Sequence, residues 1–103
     1  MTEYKAQRNP ARCPTHPGEL LRNEILPATG RTKSEIAQLL QISRQHLHDI
    51  LEERKPVSPQ IAARLGKLFG DGARVWLAMQ ANYDAWHASR DVDVSSIPTI
   101  RAA

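Results

Sequence analysis

The chain has 103 residues, 14 Lys and Arg against 11 Asp and Glu, and a formal net charge of +3. That length allows one domain with a real core and argues against several. No apolar run approaches membrane-spanning length, no signal peptide is visible, and the lone Cys13 excludes an internal disulfide, so a cytoplasmic protein with an inert thiol is expected. The mild basic excess is compatible with nucleic acid.

Residues 1–14 show no periodicity and carry Lys5, Arg8 and Arg12, which reads as a flexible basic N-terminal arm. The folded domain is expected over 15–90. Its first helix opens at Pro17, where a missing N–H costs nothing, with Glu19 complementing the dipole. Leu20, Leu21, Ile25 and Leu26 supply its buried side, and Pro27 with Gly30 ends it. Thr32 and Glu35 form a capping box for a second helix reaching about Leu40. Ser43 caps a third, from Arg44 to about Glu52. Ser58 and Pro59 open a fourth, whose inner face is Ile61, Ala62, Leu65, Leu68 and Phe69, and Gly70 stops it. A fifth runs from about Ala73 to Ser89. Its apolar residues wrap most of the way round, so it needs cover on two faces. One face meets the core. The other, with Val75, Trp76, Met79, Tyr83 and Trp86, is expected to form a homodimer interface. Alternation at Val92 and Val94 hints at a strand, but 91–103 reads best as a flexible tail.

The stretch Lys33–Glu52 organises the rest. Ile36, Ala37 and Leu40, then Leu47, Ile50 and Leu51, fall on single helix faces, with Ile42 alone between them. Small Ala37 suits a close helix crossing. This is the pattern of a helix-turn-helix, whose second helix enters the DNA major groove. Ser43, Arg44, Gln45 and His48 occupy the polar face near the N-terminus of that helix. Arg and Gln pair with guanine and adenine edges. Arg44, Gln45 and His48 are therefore the candidate base readers. Arg31, Thr32, Lys33, Ser43, Arg54 and Lys55 are candidates for the DNA backbone. Asp49, Glu52 and Glu53 would repel phosphates if they faced them, which concentrates the expected contact in the N-terminal half of the helix.

Nothing in the sequence suggests an enzyme. His16, His46, His48 and His87 lack metal-ligand spacing, and no Gly-rich phosphate loop or nucleophile motif is present. Asp84 and His87, one turn apart, suit a surface hydrogen bond. No catalytic residue, metal, cofactor or small-molecule ligand is expected. Besides a DNA-binding regulator, the residues leave open a protein-interaction module without operator binding, and a regulator that acts alone.

Three stretches carry a family resemblance: THPGELLRNEIL, SEIAQLLQISRQHLHDILEERKPVSPQIAARLGKLFG and WLAMQANYDAWHA. Together, over roughly Thr15 to Ala88, they resemble the HigA-type antitoxins of bacterial toxin–antitoxin modules, within the Xre/Cro-like helix-turn-helix proteins. The resemblance implies an all-α, five-helix, lambda-repressor-like fold and a homodimer through the last helix. It also implies autorepression at operator DNA and neutralisation of a HigB-like, mRNA-cleaving ribonuclease toxin of the RelE type. Two departures stand out. The family usually has Gly at the turn where this chain has Gln41, and Asn-Gly after the third helix where it has Glu52-Glu53. A left-handed backbone there costs a non-glycine residue about 1 kcal/mol. Loops of a different shape are the alternative.

Overall fold

The computed structural model describes residues 12–101, and within them the protein is helical with no strand. Helix α1 covers residues 17–29 in three continuous stretches: α-helical Pro17–Leu20, a π turn over Leu21–Ile25, and α-helical Leu26–Thr29. Helices α2 (Lys33–Leu40), α3 (Arg44–Leu51), α4 (Pro59–Phe69) and α5 (Ala73–Asp91) follow. None is long and apolar enough to cross a membrane.

Local chemistry sets most of the boundaries. The Thr32 hydroxyl accepts from the Glu35 N–H at 3.1 Å and the Glu35 carboxylate accepts from the Thr32 N–H at 2.8 Å, closing the capping box. Ser43 and Ser58 cap α3 and α4 by accepting from His46 and Ile61 at 3.0 and 3.3 Å. Gly70 ends α4 as expected. Two expectations need correction. Pro27 does not end α1, which continues to Thr29 and stops at Gly30 in the left-handed conformation, φ 68°. A proline inside a helix clashes with the carbonyl one turn back. Here the turn before it is widened to π geometry, with the Leu26 N–H reaching the Leu21 carbonyl. Helix α5 also runs two residues past Ser89.

The helix pair α2–α3 sits on α1 and α4, and α5 lies along α4 with its middle against α1. Leu21, Ile36, Leu47, Ile50, Leu51 and Leu65 are each at most 1% exposed. Full burial of such a side chain contributes about 1.5–3 kcal/mol. The tightest crossing is α1 on α3. A Cβ at Gly18 would lie 1.8 Å from the Ile50 carbonyl oxygen, so only glycine lets the helices meet. Ala37 is buried as its small size suggested, but the closest approach falls at Gly18. Two side chains then tie α3 and the loop that follows it to the rest of the domain. Arg22 donates to the Leu51 carbonyl at 2.7 Å, and buried Gln80 of α5 accepts from the Val57 N–H at 2.8 Å.

Beyond α5, residues 92–101 are exposed and form no strand. Val92 is extended but has no strand partner, so alternation alone gives a turn at Val94–Ile97. Most of the N-terminal arm, Lys5 and Arg8 included, lies outside the described residues. Arg12 and Cys13 are exposed.

Candidate nucleic-acid interface

Helix α3 buries Leu47, Ile50 and Leu51 and turns the other side of its first two turns outward. Arg44 and Gln45 are exposed and His48 is half-buried. With Lys33 they line one open concavity of about 490 Å³. The first residues of α2 and α3, Lys33 and Arg44, thus border the same hollow. Two helix N-termini, each carrying a partial positive charge, flank it and favour an anion such as a phosphate. Of the other expected backbone contacts, Arg31, Thr32, Lys33 and Ser43 are exposed beside these helix starts. The Thr32 and Ser43 oxygens already serve as caps. Each hydroxyl keeps its proton to donate.

The acidic end of α3 is arranged differently from the expectation. Asp49 does not present a bare charge. Its Oδ1 lies 3.6 Å from Arg54 Nη1 and its Oδ2 lies 3.8 Å from Lys55 Nζ. Oδ1 also accepts from Gln45 Nε2 at 2.9 Å. The Arg54 and Lys55 backbone N–H groups both reach the Asp49 carbonyl. Arg54 and Lys55 are more than half exposed, so these pairs are weak, and both cations remain able to turn to phosphate. Glu53 lies 3.6 Å from Arg22. Asp49 was legible as a neighbour of Gln45 only through its spacing, four residues on along a helix.

The two loops around α3 keep the backbone shape that glycine would adopt. Gln41 has φ 61° and Glu53 φ 62°, both left-handed. The expected alternative of reshaped loops is not observed. Each residue bears the strain instead. Neighbouring contacts accompany it: Arg64 donates to the Leu40 carbonyl at 2.9 Å and approaches Gln41 Oε1 at 3.4 Å.

On α5 the expected interface splits. Trp76 is 1% exposed and its indole N–H donates to Asp71 at 2.9 Å. It packs near Phe69 in the protomer core, so it is not available to a second chain. The sequence hid this because apolar residues surround the helix. Val75 is exposed, Met79 is half-buried against the core, and Tyr83 and Trp86 are half-buried. The Arg90 guanidinium lies 3.8 Å over the Trp86 ring. Tyr83 packs edge-on to His16, centroids 4.8 Å apart, and 4.4 Å from His87. His16 is buried at the start of α1, where Nδ1 accepts from the Gly18 N–H at 2.8 Å. Burial holds its pKa below the ordinary 6.5, against smaller opposing pulls from Glu53, Asp84 and Glu19. Histidine is an uncommon cap, so sequence reasoning missed this role. Asp84 bonds Gln80 rather than His87, whose Nε2 instead faces Cys13 Sγ at 3.5 Å. No group of three or more metal-ligating side chains occurs among the described residues.

No protein-family model matches the chain. It is 37% identical over 76 residues to virulence-associated protein I of Dichelobacter nodosus, covering 74% of this chain and 70% of that protein. It superposes on the Pseudomonas aeruginosa antitoxin HigA, solved with the higBA promoter, with a TM-score of 0.72 and 33% identity over 76% of this chain and 85% of that one. This chain belongs to the HigA-type antitoxins of the Xre-like helix-turn-helix proteins. A second antitoxin, GraA in complex with its operator, superposes with a TM-score of 0.79 and 30% identity over 88% and 95% of the two chains. The two superpositions therefore span 76% and 88% of this chain.

Proposed function

We propose that the chain is a HigA-like antitoxin that represses its own promoter by binding operator DNA as a symmetric homodimer, and that also binds and neutralises a HigB-like mRNA-cleaving toxin. One observation carries the DNA part. Arg44, Gln45, His48 and Lys33 converge on a single open hollow at the start of α3, in the helix pair shared with antitoxins solved on promoter and operator DNA. In this reading Arg44, Gln45 and His48 reach base edges. Arg31, Thr32, Lys33, Ser43, Arg54 and Lys55 hold phosphates on either side and make binding salt-sensitive. The outward part of α5, with Val75, Met79, Tyr83 and Trp86, joins two copies. That join would set the two α3 helices about 34 Å apart, one turn of the double helix.

The toxin part rests on family membership. The test has two arms. A gel shift with the DNA upstream of the chain's own reading frame should give a specific complex that outlasts excess random competitor. Co-expression with the adjacent gene product should yield a stable complex and relieve that product's toxicity. A specific shift without any captured product would make the chain a regulator acting alone. Capture without a shift would make it an interaction module.

A further inference from the structure

Gln45 and Asp49 lie one helical turn apart on the outward side of α3, and their contact has a direction. A carboxylate only accepts hydrogen bonds, so the carboxamide must turn its nitrogen toward Asp49, as Nε2 does at 2.9 Å. Among the described residues Oε1 and the second N–H of Gln45 have no hydrogen-bond partner, and the contact through nitrogen leaves the oxygen as the other end of the amide. Asp49 is itself well placed to hold this orientation. Its side chain is only 14% exposed, and Arg54 and Lys55 meet its charge at 3.6 and 3.8 Å. Those two cations also allow a carboxylate to remain beside a surface meant for phosphates.

We propose that Asp49 is a positioning residue for base recognition, fixing the Gln45 carboxamide so that it reads adenine in the major groove. An edge led by an acceptor meets the base amines, adenine N6 and cytosine N4. Only adenine adds the N7 acceptor that the remaining Gln45 N–H can use. Guanine and thymine present O6 and O4 to that oxygen and are disfavoured. A carboxamide free to turn over would lose this distinction. The inference rests on the assignment of Gln45 as a base reader, and the experiment separates the two.

Bound duplexes are selected from a random-sequence library with the full-length wild-type protein and with the variants Q45A, D49N and D49A, and random-duplex affinity is measured for each. Asn at position 49 keeps the size but offers both a donor and an acceptor, so it lets the carboxamide turn. The wild type should select a palindrome with one adenine position in each half-site that Q45A no longer selects. D49N and D49A should lose preference at that same position, by about ten-fold, and retain the others. Their affinity for random duplex should stay equal or rise, because Arg54 and Lys55 are released. If Q45A loses the position while D49N keeps it, the role of Asp49 is refuted and that of Gln45 stands. If Q45A leaves the selected site unchanged, Gln45 reads no base and both assignments fall. An equal loss by D49N on all sequences, random duplex included, would make Asp49 merely structural.

Discussion

Helices α3 and α5 make opposite use of their residues. Helix α3 is short and one-sided. Leu47, Ile50 and Leu51 are buried, Arg44 and Gln45 face out, and Ser43 caps its start. Helix α5 spans 19 residues, has no side-chain cap at Gly72, and scatters its apolar groups around the axis. Two tryptophans ten residues apart on it end in different places: Trp76 inside the protomer, Trp86 half-buried under Arg90. A helix with one apolar face announces which residues reach a partner. A helix apolar all round does not.

The two tryptophans give the sharpest test of that contrast. Trp76→Ala should lower unfolding stability by about 3–5 kcal/mol, as expected for emptying a core site. Trp86→Ala should lower it by less and, in the proposed homodimer, raise the dissociation constant. Urea unfolding with sedimentation equilibrium on both variants measures each effect, and equal destabilisation would erase the division of α5 into a core face and an outer face.

On α3, Arg44→Ala should leave stability nearly unchanged and weaken operator binding by about 1–3 kcal/mol if the guanidinium pairs with guanine. Filter binding on operator and random duplex distinguishes the roles, since an equal loss on both would reassign Arg44 to phosphate.

His16 joins the two regions, capping α1 and packing on Tyr83 of α5. Its folded-state pKa is lowered by burial, so the unfolded chain takes up the proton more readily. The neutral ring's contribution is complete above about pH 6.5 and is lost as the pH falls below that, through the lower folded value. Thermal melts from pH 7.5 to 5 should therefore show falling stability. His16→Asn, which keeps a capping acceptor, should make the decline shallower; an unchanged slope would remove His16 as its source.

The smallest effect concerns the loops around α3. Gln41→Gly should relieve left-handed strain and raise stability by at most about 1 kcal/mol. Glu53→Gly should gain a similarly small amount, because each change also forfeits one side-chain contact, Gln41 its 3.4 Å approach to Arg64 and Glu53 its 3.6 Å approach to Arg22. Chemical denaturation midpoints would show whether either loop is strained at all.

Much of the domain was legible from residues alone. The Thr32–Glu35 box, the Ser43 and Ser58 caps, the Gly70 stop and the apolar steps along α2, α3 and α4 mark helices because each acts within four residues of itself. The cluster at the start of α3 was legible for the same reason: Arg44, Gln45 and His48 share one side of a single short helix. Tertiary structure decided what local rules cannot reach. It carried α1 through Pro27 by widening a turn, and it placed Gly18 against the Ile50 carbonyl. It sent Trp76 inward, buried His16 as a cap, and joined Asp49 to cations in the loop beyond α3. Each of these depends on which surface another segment covers, and side-chain spacing records only the period of a face, not its partner.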